Sequence, residues 1–165
     1  MAKINIIVCI ARNGAIGHNN HLLYHLRGDL KHFKELTTGH TVLMGRRTFE
    51  SLPKGALPNR RNIVLTKHNI CWTATEVFSS LHDALNHCSP DEEIFIIGGH
   101  SVYRDALPLA GQLFLTEVDD MPQEADTFFP ELKREDWKET AREHHEADEQ
   151  NERPYDFVTL HKISK

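Results

Sequence analysis

The sequence predicts an α/β fold built on a largely parallel sheet, and three features carry that expectation. Short, β-rich apolar runs alternate with helical segments over about the first 110 residues, an order that calls for right-handed crossovers and parallel pairing. The runs KINIIVCIA, HTVLMG and EIFIIGG are close to continuously apolar, as strands buried on both faces are. Near the C-terminus YDFVTLHKI alternates instead, so the last strands are free to add antiparallel at an edge.

In order, residues 3–11 form the first strand, with Cys9 read as core, and Asn13-Gly14 turns the chain. Residues 15–25 carry Gly, Asn and His without a stable period and read as a loop. GDLKHFKELT, entered through Arg27-Gly28, has the apolar spacing of an amphipathic helix. Residues 40–45 form a strand that runs through Gly45 into a helix starting RRTFESL. A Pro/Gly/Asn-rich connection leads to a strand over 62–66, closed by Lys67-His68-Asn69, and a weaker strand follows at 75–78. In SSLHDALNHC, Ser80 and Asp83 have capping-box spacing. Residues 93–99 are a strand ending in two glycines, and HSVYRDAL is a helix closed by Pro108. Residues 111–118 are a strand, WKETAREHHEA can be an exposed antiparallel one, and 155–163 is the last.

Composition narrows the function classes. A chain of 165 residues lies near the commonest domain size, so one domain over residues 1–165 is expected. No apolar run approaches a membrane span and the N-terminus lacks the order of a signal peptide, so a cytoplasmic protein without a membrane partner is expected. Cys9, Cys71 and Cys88 are odd in number and widely spaced, as in a reducing compartment. The 12 histidines show no H-E-x-x-H pattern, and adjacent His144 and His145 would point to opposite faces of a strand, so no metal is expected. The net charge is −5, but residues 117–152 carry 14 acids against 4 bases, leaving 10 acids and 15 bases elsewhere. The basic residues are grouped at strand ends rather than interleaved with aromatics, which favours a small polyanion over nucleic acid.

Three places can carry chemistry. Asp29 is the first acid in the chain, on a helix face shared with Leu26, Leu30, Phe33 and Leu36. A carboxylate directed at apolar surface either raises its pKa or awaits a ligand that brings donors, such as a cation or an amidine; ordinary first-turn capping is the alternative. Arg46 and Arg47 open a helix after Gly45, where cations are unfavourable unless an anion sits between them; two solvated arginines are the alternative. Gly98-Gly99 would let a backbone approach a diphosphate, or simply make a tight turn. In a parallel sheet Arg46, Lys67, Gly98 and Gly99 all fall at the carboxyl ends of strands, where such sheets bind ligands.

Taken together, AIG with GDLKHFK, VLMGRRTFESL, LPNRRNIVLT, EIFIIGG with VYRDALP, LFLTEV, DTFFP and HEADEQNERPYDFVTL resemble dihydrofolate reductase over nearly the whole chain. The resemblance implies a central eight-stranded, mainly parallel sheet with an antiparallel C-terminal edge, flanked by four helices, with NADPH and dihydrofolate in a shared cleft. It implies that Asp29 pairs with the pterin 2-amino group and N3, with Thr116 linked to it through water. Ile7, Val8 and Ile97 would line the pterin, Leu30, Phe33 and Leu52 would wall the rings, and Arg60 would hold the α-carboxylate of the glutamyl tail. For NADPH it implies Arg46, Arg47, Lys67, Thr48 and Thr66 around the phosphates, Gly98 and Gly99 as an unusual cis peptide, and Ala11, Ile16 and Gly17 in the loop over nicotinamide. Gly45, Val102 and Tyr103 complete that set.

The same resemblance implies hydride transfer to C6 of dihydrofolate with protonation at N5, a monomer, a place in tetrahydrofolate and one-carbon metabolism, and a target for antifolates. Leu23-Tyr24 departs from the Pro-Trp pair common in the family, and Tyr24 is expected to keep the water-ordering role of the Trp. Leu22 stands where Met is frequent, and His100 where a small residue is commoner. Rival classes are a reductase of the same fold acting on a pyrimidine intermediate of riboflavin synthesis, disfavoured by Arg60 and the Asp29 helix, and a non-catalytic nucleotide-binding module.

Overall fold

The computed structural model describes residues 2–18, 21–22 and 26–163, with side-chain surroundings for 2–17 and 26–163. Its eight-stranded sheet is made of β1 (Lys3–Ala11), β4 (Thr41–Gly45), β5 (Arg61–Leu65), β6 (Glu76–Phe78), β7 (Glu93–Gly98), β8 (Gln112–Val118), β10 (Trp137–His145) and β11 (Tyr155–Lys162). The strand order is β10-β11-β8-β1-β7-β4-β5-β6. β2 (Ala15–His18), β3 (His21–Leu22) and β9 (Thr127–Phe128) form a second sheet in the order β3-β2-β9. The helices are α1 (Arg27–Thr37), α2 (Arg46–Glu50), α3 (Leu81–Asn86) and α4 (His100–Ala106). None of the described helices is long and apolar enough to cross a membrane.

The chain divides into two compact units. The first runs to Ile6 and resumes over Thr37–Ala110; the second spans Ile7–Leu36 and continues from Gly111. In the first, β1, β7, β4, β5 and β6 pair in parallel, as the continuous apolar runs require. Ile6, Val42, Leu43, Met44, Ile63, Val64, Ile94 and Ile96 are fully buried there. The amino ends of these strands are fastened by Arg61, whose guanidinium donates to the carboxylates of Glu76 and Glu92 and to the carbonyl of His87. Thr41 adds its hydroxyl to Glu92. Ser80 caps α3 by accepting from the Asp83 amide, while the Asp83 carboxylate is bonded by Ser79 rather than closing the box on Ser80.

In the second unit β8, β11 and β10 are antiparallel, with Tyr155 opposite Val118 and Phe157 opposite Thr116. A buried cluster of Ala11, Ala15, Leu26, Val118 and Tyr155 packs beneath, with Cys9, Ala125 and Phe157 against it.

Three expectations are corrected. Residues 15–25 are not a plain loop: 15–18 and 21–22 are strands, while 23–25 lie outside the described residues. β3 pairs locally with β2, while the other partner of β2 comes from far along the chain, with Phe129 N donating to Gly14 O and Asp126 N to Gly17 O, a pairing that no local period announces. The fifth strand starts at Arg61 and ends at Leu65, leaving Thr66 in the following turn, where its hydroxyl accepts from His68 N. Pro108 does not close α4 directly; α4 ends at Ala106 and Pro108 sits in a 3-10 turn over Leu107–Leu109, a first-turn position that needs no N–H.

Candidate active site

Asp29 lies in the first turn of α1. The amide of Gly28 is taken by Asn151 Oδ1 at 2.9 Å, and Asn151 is itself held by Asp148 Oδ1 through its backbone and side-chain N–H groups. That arrangement leaves the Asp29 carboxylate to receive the Thr116 hydroxyl, 2.5 Å from Oδ1. The link is direct, not through water as the resemblance implied. Burial pushes the carboxyl above the ordinary aspartate range; Thr116, the His32 imidazole and the Cys9 thiol pull it back. Cys9 is therefore not simply core. Burial, with the Asp29 negative charge beside it, drives the thiol well up, so that it stays neutral. Nothing in VCIA marks Cys9 as a partner of the acid, since β1 alternation says only which face a residue takes.

Ile7 and Val8 are buried in β1, and Phe33 is half-buried one turn beyond Asp29. Leu30 is 54 % exposed, so it is not part of the core that the helical period suggests. A large apolar side chain left in water next to a half-buried acid is the composition of a ligand wall. Ala11, Ile16 and Gly17 are buried in β1 and β2. Tyr24 lies outside the described residues, as does Leu23.

In the first unit Arg60 is oriented by its neighbours in the chain. Its Nε donates to Pro58 O at 2.9 Å and its Nη1 to the Thr37 hydroxyl at 3.1 Å, which fixes the plane of the guanidinium and leaves Nη2 for an external acceptor. Thr37, fully buried at the end of α1, is a supporting residue that carries no signal in the sequence. Leu52 and Ile97 are half-buried.

Two helix starts lie side by side at the carboxyl ends of β4 and β7, which pair with Met44 opposite Gly98. Gly45 precedes α2 and Gly99 precedes α4, and neither cap position uses a side chain, so first-turn amides of both helices have no cap. The turns pack closely: a Cβ at Gly45 would meet Val102 Cγ2 at 3.3 Å, and one at Gly98 would meet Thr48 Oγ1 at 3.0 Å. Gly98 has φ +143°, which side chains rarely tolerate, and the Gly98-Gly99 peptide is cis as the resemblance implied. Val102 and Tyr103 are buried behind the turn, with Tyr103 N bonded to Gly99 O. Arg46 is engaged by Glu50 one turn on, whereas Arg47 and Lys67 are exposed and make no ion pair among the described residues. Uncapped amides, a threonine hydroxyl and cations without an acidic partner are the donor set of a phosphate site.

Such a molecule is an α/β protein whose strand ends are equipped for an anionic ligand and whose half-buried acid is equipped for a ligand rich in N–H donors. A family profile described as dihydrofolate reductase matches residues 3–162. Dihydrofolate reductase of Bacillus subtilis (strain 168) is 41% identical over 160 residues, covering 96% of this chain and 94% of that protein. Dihydrofolate reductase type 3 of Salmonella typhimurium is 44% identical over 159 residues, covering 95% and 96%. Among solved structures, dihydrofolate reductase from Enterococcus faecalis, complexed with NADP(H) and RAB-propyl, superposes with a TM-score of 0.90 at 33% identity, covering 98% of this chain and 97% of that one. The chain belongs to the dihydrofolate reductase family.

Proposed function

We propose that this chain reduces 7,8-dihydrofolate to 5,6,7,8-tetrahydrofolate with NADPH, by hydride transfer to C6 and protonation at N5. The observation that carries the reading is the Asp29 carboxylate, half-buried on a helix, oriented by Thr116 and lacking an arginine or lysine partner among the described residues. It is matched to the 2-amino group and N3 of a pterin, which offer two donors in one plane. NADPH, when bound, supplies the hydride; the protein's own residues bind, orient and bias protonation. Asp29 anchors the ring and, by keeping negative charge near it, favours the protonated imine that accepts hydride best, while water delivers the proton. Ile7, Val8, Leu30, Phe33, Leu52 and Ile97 provide apolar wall, and Tyr24 a water-ordering hydroxyl. The cofactor falls to Ala11, Ile16, Gly17, Gly45, Arg46, Arg47, Thr48, Thr66, Lys67, Gly98, Gly99, Val102 and Tyr103. The unpaired thiols of Cys9, Cys71 and Cys88 suit a monomer working in a reducing cytoplasm.

The deciding experiment is steady-state oxidation of NADPH by the purified chain. Absorbance should fall on addition of dihydrofolate, and a flat trace would sink the reading. Cofactor choice tests the cations: kcat/KM should be higher with NADPH than with NADH, and the preference should weaken with added salt and in Arg47→Ala, because only NADPH carries the 2′-phosphate. Equal specificity constants at low ionic strength would remove Arg46, Arg47 and Lys67 from that role.

Arg60 is assigned the α-carboxylate of the glutamyl tail. Arg60→Leu should raise KM for dihydrofolate roughly 10- to 100-fold, the equivalent of about 1.5–3 kcal/mol for charged hydrogen bonds. A pterin without the tail should be spared. Thr37→Val, which removes the hydroxyl that orients Arg60, should reproduce part of that rise; equal losses on both substrates would make Arg60 structural.

A further inference from the structure

Nothing in the sequence singles out His32, yet a chain of four linked observations places it beside the acid. It stands three residues after Asp29 on α1, hence on the same side of the helix. Its ring lies flat on Phe157, centroids 3.9 Å apart and planes 12° from parallel. Phe157 is directly opposite Thr116 in the β8–β11 pair, so the two side chains share one face of the sheet. Thr116 closes the circuit by donating to Asp29. An imidazole fixed by stacking thus sits within the same few side chains as the carboxyl proposed to hold the pterin.

The groups facing this ring come from three elements. On α1 they are Asp29 and Glu35; from β10 come Glu143 and His145. From β11, Tyr155 and Phe157 both pack against His145, and the Tyr155 phenol also senses Asp29 and Glu143. Cys9 of β1 adjoins the carboxyl itself. Burial disfavours a charged imidazole, and the three acids oppose that, with the Asp29 charge the largest of them. Conversely the imidazole is one of the groups that favour the ionised carboxyl.

We propose that His32 is a positioning residue for Asp29, the imidazole and the carboxyl forming one electrostatically coupled pair that sets how far the acid is ionised when the pterin arrives. The proposal rests on the assignment of Asp29 as the pterin anchor, but the coupling itself does not need the reaction. As pH falls the ring takes up a proton, and its charge then holds Asp29 as carboxylate at pH values where a lone buried aspartate would already be neutral. Titrations of such a pair belong to both groups together.

The test follows two resonances across pH in the full chain: the His32 imidazole by nitrogen-edited NMR, and the Asp29 carboxyl by carbon-13 NMR. Loss of the carboxylate charge in Asp29→Asn should move the His32 midpoint to lower pH. Loss of the imidazole in His32→Phe, which keeps an aromatic ring on Phe157, should move the Asp29 midpoint to higher pH. His32→Gln provides a second variant should the first fold poorly. In steady state the His32 variants should raise KM for dihydrofolate on the acid side and leave KM for NADPH unchanged, a split that a merely structural ring would not give. A His32 midpoint unmoved by Asp29→Asn, or an Asp29 midpoint unmoved by both His32 substitutions, overturns the coupling. Absence of NADPH oxidation by the parent enzyme would instead overturn the functional reading, leaving the two NMR titrations to decide the coupling.

Discussion

Asp29→Asn is expected to lose roughly 10²–10⁴ in kcat/KM for dihydrofolate, from two charge-assisted hydrogen bonds of about 1.5–3 kcal/mol each. NADPH binding should be weakened far less, since Asp29 is not among the residues assigned to the phosphates. The amide keeps the shape of the side chain, and its oxygen can still accept from Thr116. Near-normal turnover of the purified variant at neutral pH would remove Asp29 as the anchor.

The same substitution should stabilise the fold, and that outcome separates lost chemistry from lost structure. The Asp29 carboxyl is raised by burial above its ordinary value, so the native state holds this proton more tightly than the unfolded chain does. Stability contributed by this group is then full below the unfolded pKa of about 3.9 and declines as pH rises through the window up to the raised native value. At neutral pH the ionised group is a net cost, which asparagine removes. A gain of about 0.5–2 kcal/mol, as relief of functional strain commonly returns, would raise Tm by about 2–4 °C per kcal/mol in a chain of this length. The gain should vanish in acid, where the parent carboxyl is neutral too. A variant both inactive and less stable at pH 7 would show that the loss of activity came from the fold.

What is legible in the sequence is what local period and composition control. The parallel strands β4 and β7 can be read because burial on both faces makes their sequences continuously apolar, and α1 because its apolar positions recur at helical spacing. Gly45 and Gly98-Gly99 fall at strand ends on sequence grounds alone, since only those positions join an apolar run to a helix. Partners supplied from a distance cannot be read. Asn151, 123 residues from the amide it caps, sits in a polar stretch that looks like any surface loop. Phe157 and Thr116 meet only through the β8–β11 register, so the stack that holds His32 has no counterpart in local sequence. Leu30 escapes for another reason: the helical period cannot distinguish a position that faces core from one that does not, and 54 % exposure places it with the latter. The direct Thr116–Asp29 bond is likewise beyond reach, because spacing gives no distances.

Gly28 carries the second large prediction. In most helix interiors Gly→Ala gains about 1 kcal/mol through backbone entropy and propensity. Here the sign should reverse. A Cβ on Gly28 would overlap the Tyr155 hydroxyl and stand 3.0 Å from its Cζ and 3.4 Å from Asn151 Oδ1. Tyr155 is 3 % exposed and held on both sides, stacked at 5.0 Å on His145 and tilted at 5.3 Å on Phe157, so it has little room to yield. Relief must come instead from the first turn of α1, which carries Asp29, and from the Asn151 bond that caps it. Overpacking of this kind costs about 1–3 kcal/mol, and a displacement of about 1 Å at a reacting centre can cost on the order of 10²-fold in rate. Gly28→Ala should therefore lower Tm and depress kcat/KM for dihydrofolate together, the opposite pairing to Asp29→Asn. Adding Tyr155→Phe removes the hydroxyl that the new methyl would meet and should recover part of both losses. A Gly28→Ala protein more stable than the parent and fully active would mean that α1 can move without disturbing the acid, and that the close approach of Gly28 to Tyr155 does not position Asp29.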